Sequence, residues 1–523
     1  MDEPTSPSGV ADPRRWYGLA MIALPCVLYS MDLVVLYLAA PALAQDLHAS
    51  GTELLWITDI YGFMLAGWLI PMGRLGDRIG RRRLLLIGAA AFGALSILAA
   101  FSTTPGMLIA TRALLGVAAA TLAPSTLSLI SNMFPDPRER TTAIGIWVMS
   151  FSTGAAIGPL VGGAMLEAFW WGSVFLIAVP VMGLLLVLGP RLIPEFRDPA
   201  PGRFDAVSAL LCLVAVLAVI YGLKDFAENG WRVAPIVPVV AGVVLAVVFV
   251  RRQRRLPDPM IDLELFRRPA FVAALGANTL SFVVNFGTFL LIAQYFQLVL
   301  GRSPLVAGLW TLPSAFGFIA GALVVPLLVR ALRPGFVVAA GLAVAAAGLA
   351  TVGQAGVSSG LAVVVSGSVL LALGVAPVIT LATDLVVGTV PPERAGVASG
   401  VSETGSELGG ALGIALLGSI SVAVYRADLP HSFVGVDAGQ AETARETLAG
   451  AARIAADLPA ATAQPLLAAS RHAFTHGLEI ATLTGAVIAV VGACVAAVAL
   501  RRVGVAAAPT EDPARTEDGF PQR

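Results

Sequence analysis

The sequence predicts an all-α membrane protein with fourteen transmembrane helices, and three observations carry that prediction. The chain is 523 residues long, 57% hydrophobic and only 13% charged, with a mean hydropathy of +0.85. Water-soluble domains carry about 25% charged residues, so this chain has too little polar surface to cover a globule of its size. Second, apolar runs long enough to cross a hydrocarbon core, which takes about 20 helical residues, recur along the whole chain. Third, the basic residues alternate between connectors. With both termini cytoplasmic, inside segments hold 25 of the 33 Arg and Lys residues and outside segments hold seven, while Arg112 lies within a span. Positive charge marks the cytoplasmic side, and an even number of spans agrees with this orientation.

In order, the spans fall near residues 17–40, 53–72, 84–101, 107–131, 141–166, 170–189, 205–223, 233–250, 270–298, 304–328, 336–354, 360–388, 395–425 and 475–499. The first run, Trp16 to Ala40, exceeds a signal-peptide core and is followed by many more spans, so it reads as a retained helix. Six spans form an amino-terminal domain, residues 1–190. Two linking spans with cytoplasmic segments occupy 191–269, and six more form a carboxy-terminal domain, 270–500, before a cytoplasmic tail, 501–523. The segment Arg251 to Arg268, with Pro257 and Pro259, reads as an amphipathic stretch lying on the membrane surface. The long outer loop 426–471, rich in Ala, Thr and Glu, reads as short amphipathic helices serving as a solvated spacer.

Composition also excludes functions. The formal net charge is zero, which gives no general attraction to nucleic acid. Cys26, Cys212 and Cys494 lie singly in apolar segments, so no disulfide framework or metal spacing is present. The sequence has no GxxxxGK[ST] phosphate loop, no His or Cys cluster and no nucleophile constellation. No metal or cofactor is expected, and a membrane enzyme or channel is the weakest reading. Among the basic residues all but Lys224 are arginine, and Ala and Gly abound, as in a GC-rich bacterial gene.

Charge within a span costs about 2.5–3.5 kcal/mol on insertion scales and therefore marks candidate function. Asp32, Asp59 and Arg112, in the first, second and fourth spans, lie about six to eight residues from the outer ends, at similar depth. A carboxylate beside arginine stays ionised, and one in an apolar cavity protonates. A group moved between those settings carries a proton. In the thirteenth span Glu403 and Glu407 are four apart and share a helix face near mid-membrane. Two carboxylates there repel unless a proton or a cationic ligand neutralises one. Asp384, close to the cytoplasmic end of the twelfth span, is placed where water reaches it and reads as mainly structural. Aromatic faces bind lipophilic cations at about 0.5–2 kcal/mol each. Tyr29, Trp56 and Tyr61 are candidates, with Trp147, Phe286, Tyr295 and Trp310 beyond them. Asn278, Asn285, Gln294 and Gln297 give the ninth span polar positions for a lined pathway or interhelical hydrogen bonds.

Two glycine-bearing stretches complete the pattern. Between the second and third spans runs Gly73-Arg74-Leu75-Gly76-Asp77-Arg78-Ile79-Gly80-Arg81-Arg82-Arg83, a basic cytoplasmic turn. Its glycines permit tight turning and close approach, and Asp77 can pair with neighbouring arginines as a latch. The fifth span contains Gly154, Gly158, Pro159, Gly162 and Gly163. Pro159 removes a backbone hydrogen bond and kinks the helix, and glycines four apart present a smooth packing face.

These residues carry a resemblance. The Gly73 to Arg83 string resembles the signature loop between helices 2 and 3 of the major facilitator superfamily. Gly-Pro-x-x-Gly-Gly at Gly158 to Gly163 resembles the antiporter motif of its drug/proton exporters. Met31-Asp32 through Pro41 is similar to the first-helix motif of the 14-helix drug/proton antiporters, although Val34 and Tyr37 stand where Thr and Asn are common. Trp56 to Tyr61 and the Glu403/Glu407 pair resemble stretches of the quaternary-ammonium exporters in that family, and Arg112 to Gly116 resembles the fourth-helix motif credited with proton coupling. The resemblance implies the major facilitator fold, arranged six, two and six. It implies a proton-driven multidrug efflux antiporter in a bacterial cytoplasmic membrane, monomeric and powered by the proton motive force. Lipophilic cationic drugs or dyes, protons and membrane lipid are its expected partners. In that reading Asp32, Asp59 and Arg112 couple protons, and Glu403, Glu407, Tyr29, Trp56 and Tyr61 bind the cation. Gly73, Gly76, Asp77, Arg78, Gly80 and Arg81 gate the cytoplasmic side, and the Gly154 to Gly163 motif tightens the outer half of the domain interface. The alternative is a dedicated exporter of one natural product or antibiotic.

Overall fold

The computed structural model describes residues 14–49, 51–197, 205–229, 233–256, 259–302, 304–357, 360–390, 395–433 and 435–501. Regular structure in them is helical throughout. The helices are α1 Arg14–Asp46, α2 Gly51–Ile79, α3 Arg81–Ala100, α4 Pro105–Met133 and α5 Pro137–Ala168. Next come α6 Ser173–Leu192, α7 Ala206–Asn229, α8 Val233–Gln253 and α9 Pro269–Gln294, which runs on into a π turn, Tyr295–Val299. The remainder are α10 Pro304–Ala331, α11 Pro334–Val352, α12 Leu361–Gly388, α13 Ala395–Asp428, α14 Ala438–Glu446, α15 Leu448–Ala456 and α16 Ala460–Ala499. Twelve of them, α3 to α13 and α16, are long and apolar enough to cross a membrane. α1 and α2 have 33 and 29 residues and pack into the same bundle. Nothing is described of the terminal residues 1–13 and 502–523 that the sequence reading placed in the cytoplasm.

Helix ends follow local chemistry. Thr104 caps α4 by accepting from the Met107 N–H, and Pro105 occupies the first turn. Asp136 caps α5 through the N–H groups of Arg138 and Glu139. Inside a bilayer, apolar side chains gain little by meeting each other rather than lipid, so helices associate through small residues and polar contacts. On α11, Gly341 and Gly348 face Gly374 and Gly367 of α12 so closely that a Cβ on any of them would strike the opposite helix. Gly287 of α9 meets Gly413 of α13 in the same way. The surfaces left over are apolar: Val237, Val240, Val243, Val244 and Val247 of α8 are exposed, as suits a helix that faces lipid.

α1 packs on α5, α2 on α4, and α3 on α4 and α6. α9 packs on α13, and α12 on α10 and α11, with α16 against α11 and α13. These two groups meet where α2 and α4 touch α13 and where α5 touches α10 and α12. α7 lies against both α2 and α13, over the seam, and α8 packs on α7.

Two connectors bury one face. In the Arg251 to Arg268 segment Arg251, Arg254, Arg255, Glu264, Phe266, Arg267 and Arg268 are exposed. Met260, Ile261 and Leu265 are buried in a cluster with Phe271, Val386 and Val397, and beyond the end of α8 at Gln253 the helical part of the described residues is Leu263–Arg267, a 3-10 turn. Buried Gln253 anchors the segment by donating to Ser208 Oγ (2.7 Å) and accepting from the Met260 N–H (2.6 Å). Pro257 lies outside the described residues. The 426–471 segment does form short helices, with one face exposed and the other buried. Ala444, Ala451, Ala455, Ala463 and Leu466 bury one another, and Tyr425 of α13 donates to the carbonyl of Ala444 (2.7 Å). The last helix begins at Ala460, well before the expected 475–499.

Candidate functional site

At the arginine-rich end, the basic connector between the second and third helices is a very tight turn. α2 runs through to Ile79 and α3 begins at Arg81, so Gly80 alone turns the chain. Its φ of 107° lies in the left-handed region that glycine tolerates. Buried Asp77 accepts from Arg81 Nε (3.0 Å) and Nη2 (2.8 Å). It also lies against the first turn of α13, where a Cβ on Gly396 would strike its Oδ1 and the Val397 N–H is a further donor. Gly73 meets the backbone of Gly396, and Gly400 faces the Leu69 carbonyl, so α2 and α13 touch main chain to main chain. Gly76 packs within its own helix group, against Leu84. Arg74 is buried near Asp77, whereas Arg78 is exposed.

A second contact joins the groups at this end. Arg140 at the start of α5 donates through Nε to Asp384 Oδ1 (2.6 Å), and Thr141 donates to Asp384 Oδ2 (2.7 Å). Asp384 is 7% exposed, so the expectation that water reaches it is corrected: its partners come from the other helix group. Sequence reasoning missed Arg140. The one available signal was a buried-depth carboxylate without a basic residue on its own helix.

Deeper in, Arg112 of α4 is wholly buried. Its Nη1 donates to Asp32 Oδ2 of α1 (2.6 Å) and its Nε to the Ile57 carbonyl of α2 (3.3 Å). Its guanidinium carbon lies 4.4 Å from the centroid of the Tyr61 ring. Beside Asp32 is a cavity also lined by Met31, Val35, Val174, Phe175 and Ala178. Asp59 is half-buried on α2, two residues past Ile57. Tyr61 and Tyr29 have centroids 6.2 Å apart, and the Tyr29 hydroxyl donates to Glu407 Oε1 of α13 (2.9 Å). Glu403 and Glu407 are half-buried, and Glu403 lies within electrostatic reach of Glu407, Tyr29 and Cys26. A continuous chain therefore runs Asp32–Arg112–Tyr61–Tyr29–Glu407 from α1 to α13.

Other candidates are placed elsewhere. Trp56 is 39% exposed and stacks on Tyr221 of α7 at 6.4 Å, which sets it toward the linking helix rather than toward the acidic pair. Tyr295 donates to the Gly356 carbonyl (2.7 Å) and Trp147 to Thr126 (3.0 Å), both buried structural contacts. Phe286 stacks on Phe282 and is partly exposed, as is Trp310. Asn278 donates to Ser406 Oγ (3.0 Å), tying α9 to α13, while Asn285, Gln294 and Gln297 keep partial exposure. On α5, Gly154 faces Val27 and Ser30 of α1, and Gly162 faces Val35. Gly154 and Gly162 thus bring α5 close to α1 within one helix group. Gly158 is buried, Gly163 has open space around it, and the side chain of Pro159 lies outside the described residues. No group of His, Cys, Asp and Glu among the described residues could hold a metal ion.

The helix order, the seam between two six-helix groups and the buried charge chain together describe a membrane carrier, and comparison fixes its family. Residues 22–414 match the profile of the Major Facilitator Superfamily. The chain belongs to that superfamily. It is a multi-pass membrane transporter, not an enzyme. It is 44% identical over 500 residues to the multidrug efflux pump LfrA of Mycolicibacterium smegmatis, covering 95% of this chain and 99% of that protein. It is 35% identical to the methyl viologen resistance protein SmvA of Salmonella typhimurium, over 90% of this chain and 94% of that one. It is 33% identical to the tetracenomycin C resistance and export protein of Streptomyces glaucescens, over 94% of each. Among solved structures, the human organic anion transporter MFSD10 superposes with a TM-score of 0.59 at 16% identity, covering 93% of this chain and all of that one. That likeness bears on the fold alone.

Proposed function

We propose that this transporter is a proton-coupled multidrug efflux antiporter that expels lipophilic, mostly cationic compounds by alternating access. The observation that carries the reading is the Tyr29–Glu407 hydrogen bond. It links the acidic pair of α13 to the Asp32–Arg112 ion pair across the two helix groups, so binding at one end is felt at the other. In this mechanism a lipophilic cation is drawn to Glu403 and Glu407, which two like charges at close range leave ready for a counter-charge. A proton reaching Asp32 through the adjacent cavity neutralises it and frees Arg112 to lean on Tyr61. That moves Tyr29 away from Glu407 and loosens the hold on the cation. Asp59 serves the same coupling from α2. Tyr61, with one face over Arg112, acts as the relay, and Tyr29 contacts both cation and carboxylate. The name of the SmvA relative supports a cationic cargo, since methyl viologen is a flat dication.

The same proposal fixes the setting. The Gly80 end lies in the cytoplasm, with both termini there and all fourteen long helices crossing a bacterial inner membrane, a reading that the 25 to seven distribution of basic residues supports. Residues 1–190 and 270–500 act as the two rocking domains, 191–269 links them, and a monomer suffices. Asp77–Arg81 and Arg140–Asp384 close the cytoplasmic side. The test is ethidium export by cells or inverted vesicles, with and without a protonophore, for the parent and Asp32→Asn. Protonophore-sensitive export that vanishes in the variant is expected. A dedicated antibiotic exporter is the second reading, favoured by the tetracenomycin C relative. It would prevail if folded, membrane-inserted protein exported one uncharged antibiotic and no cationic dye.

A further inference from the structure

Glu195 belongs neither to the charge chain nor to the Gly73 to Arg83 string, yet it makes more polar contacts than most charged residues here. It lies on the strap 193–197 that leaves α6. The first N–H groups of any helix have no partner within the helix, and Gly80, the residue that precedes α3, offers no side chain to cap it. The strap supplies partners for the three that follow Gly80, whose own N–H donates to the Gly76 carbonyl (3.0 Å). The Phe196 carbonyl accepts from the Arg81 N–H (2.9 Å). Glu195 Oε1 accepts from the Arg82 N–H (3.0 Å), and Oε2 from the Arg83 N–H (3.1 Å). Arg82 returns the contact, donating through Nη1 to the carbonyls of Pro190 (3.1 Å) and Ile193 (3.0 Å) at the end of α6. Gly80 is glycine for two reasons. Its φ is positive, and a Cβ there would sit 2.8 Å from the Glu195 carboxylate carbon. The negative charge also stands where the α3 dipole favours it.

The consequence reaches the closure. Arg81 has its backbone fixed by the strap while its guanidinium grips Asp77, and Asp77 rests on the first turn of α13. We propose that Glu195 is a positioning residue for cytoplasmic closure: by capping α3 from another segment it holds Arg81 where Arg81 braces Asp77 against α13. The proposal rests on the reading of Asp77 as a cytoplasmic latch, and not on the identity of the cargo.

The experiment therefore reads closure without substrate. Val397 is 7% exposed at the α2–α13 contact. Val397→Cys is placed in a chain whose Cys26, Cys212 and Cys494 are replaced by Ala, and labelled in inverted vesicles with a membrane-impermeant maleimide. Glu195→Ala is expected to speed labelling roughly five- to tenfold, the change that follows loss of one first-turn cap. Arg81→Ala is expected to do the same, and the double variant to be no faster than either, because both act on one contact. Thr104→Ala removes the cap of α4 at the opposite end and is expected to lower Tm while leaving labelling at the parental rate. Fast labelling in Arg81→Ala beside parental labelling in folded Glu195→Ala would sink the proposal alone. Parental labelling in Arg81→Ala would sink the latch itself. Equal acceleration by Thr104→Ala, or additive effects in the double variant, would reduce Glu195 to general stability.

Discussion

The two helix groups treat buried charge in opposite ways. In the amino-terminal group Asp32 is matched at 2.6 Å by a wholly buried Arg112, which also has a carbonyl and an aromatic face for neighbours. In the carboxy-terminal group Glu403 and Glu407 stand four apart on one helix, and Glu407 accepts from a neutral hydroxyl across the seam, that of Tyr29. A matched ion pair inside a membrane is held by geometry, and removing one member strands the other. An acidic pair is instead held together by whatever positive charge comes near. The first arrangement suits a group that changes state once per cycle, and the second suits a site for cations of different shapes. Tyr29 stands between the two arrangements, hydrogen-bonded to Glu407 and with its ring 6.2 Å from that of Tyr61.

Variants can break or sharpen this contrast. Asp32→Asn has the largest expected effect. It leaves Arg112 buried without its counter-charge, a change that costs about 3–5 kcal/mol when a buried pair is broken, and it removes the proton carrier. Export of every cation is expected to stop, measured as protonophore-sensitive dye efflux from cells with surface-verified protein; normal efflux would end the coupling role of the amino-terminal group. Glu407→Gln comes next. It keeps an acceptor for Tyr29 but removes one of two charges, so dication export is expected to fall about tenfold, one unit of charge-assisted hydrogen bonding, while monocation export changes little. Equal export of both classes would show that the acidic pair does not read charge.

Asp384→Asn tests whether a charge pair between groups behaves like one within a group. It removes the charge facing Arg140 but preserves an acceptor for Thr141, so the arginine-rich end is expected to open more often. Cysteine labelling there should rise a few-fold, less than for loss of a wholly buried pair, because Arg140 keeps access to water. An unchanged labelling rate would leave Asp77 as the sole latch.

The smallest effect lies at the residue just before α7. Burial alone would raise the pKa of Asp205, but hydrogen bonds from Ser208 and from Arg252, together with the charge of Arg252, hold it below the usual carboxylate value. A depressed folded pKa means stability that is present above the unfolded value, about 3.9, and lost as the pH falls through the folded one. At such a half-exposed pair the contribution is below about 1 kcal/mol. Asp205→Asn is expected to lower Tm slightly at neutral pH and to lose that deficit in acid; a deficit independent of pH would assign the contact to shape rather than charge.

The sequence could show much of this because its signals are local. Hydropathy over some twenty residues marks a span, four-residue spacing puts Glu403 and Glu407 on one face, and Gly80 beside a run of arginines marks a corner. It did not fix the length of that turn, because no local rule separates a one-residue break from a longer turn when the flanking residues all favour helix. It placed Asp384 in water because depth along a helix says nothing about what packs on its side. It assigned Trp56 to the cation site because a helix face cannot be matched to a neighbour before the neighbours are known, and α7 proved to be the neighbour.

By itself, then, the sequence determined the membrane class, the helical architecture, the family resemblance and the identity of the charged residues that a bilayer would not tolerate without a purpose. Those are consequences of solvation, which each residue meets on its own helix. Only the tertiary structure decided who meets whom: Tyr29 with Glu407 across 378 positions, Arg140 with Asp384 across 244, and Glu195 with the start of α3 across 113. Such partnerships depend on helix rotation and tilt, which small-residue contacts between helices set, and no spacing along the chain encodes an angle between two helices.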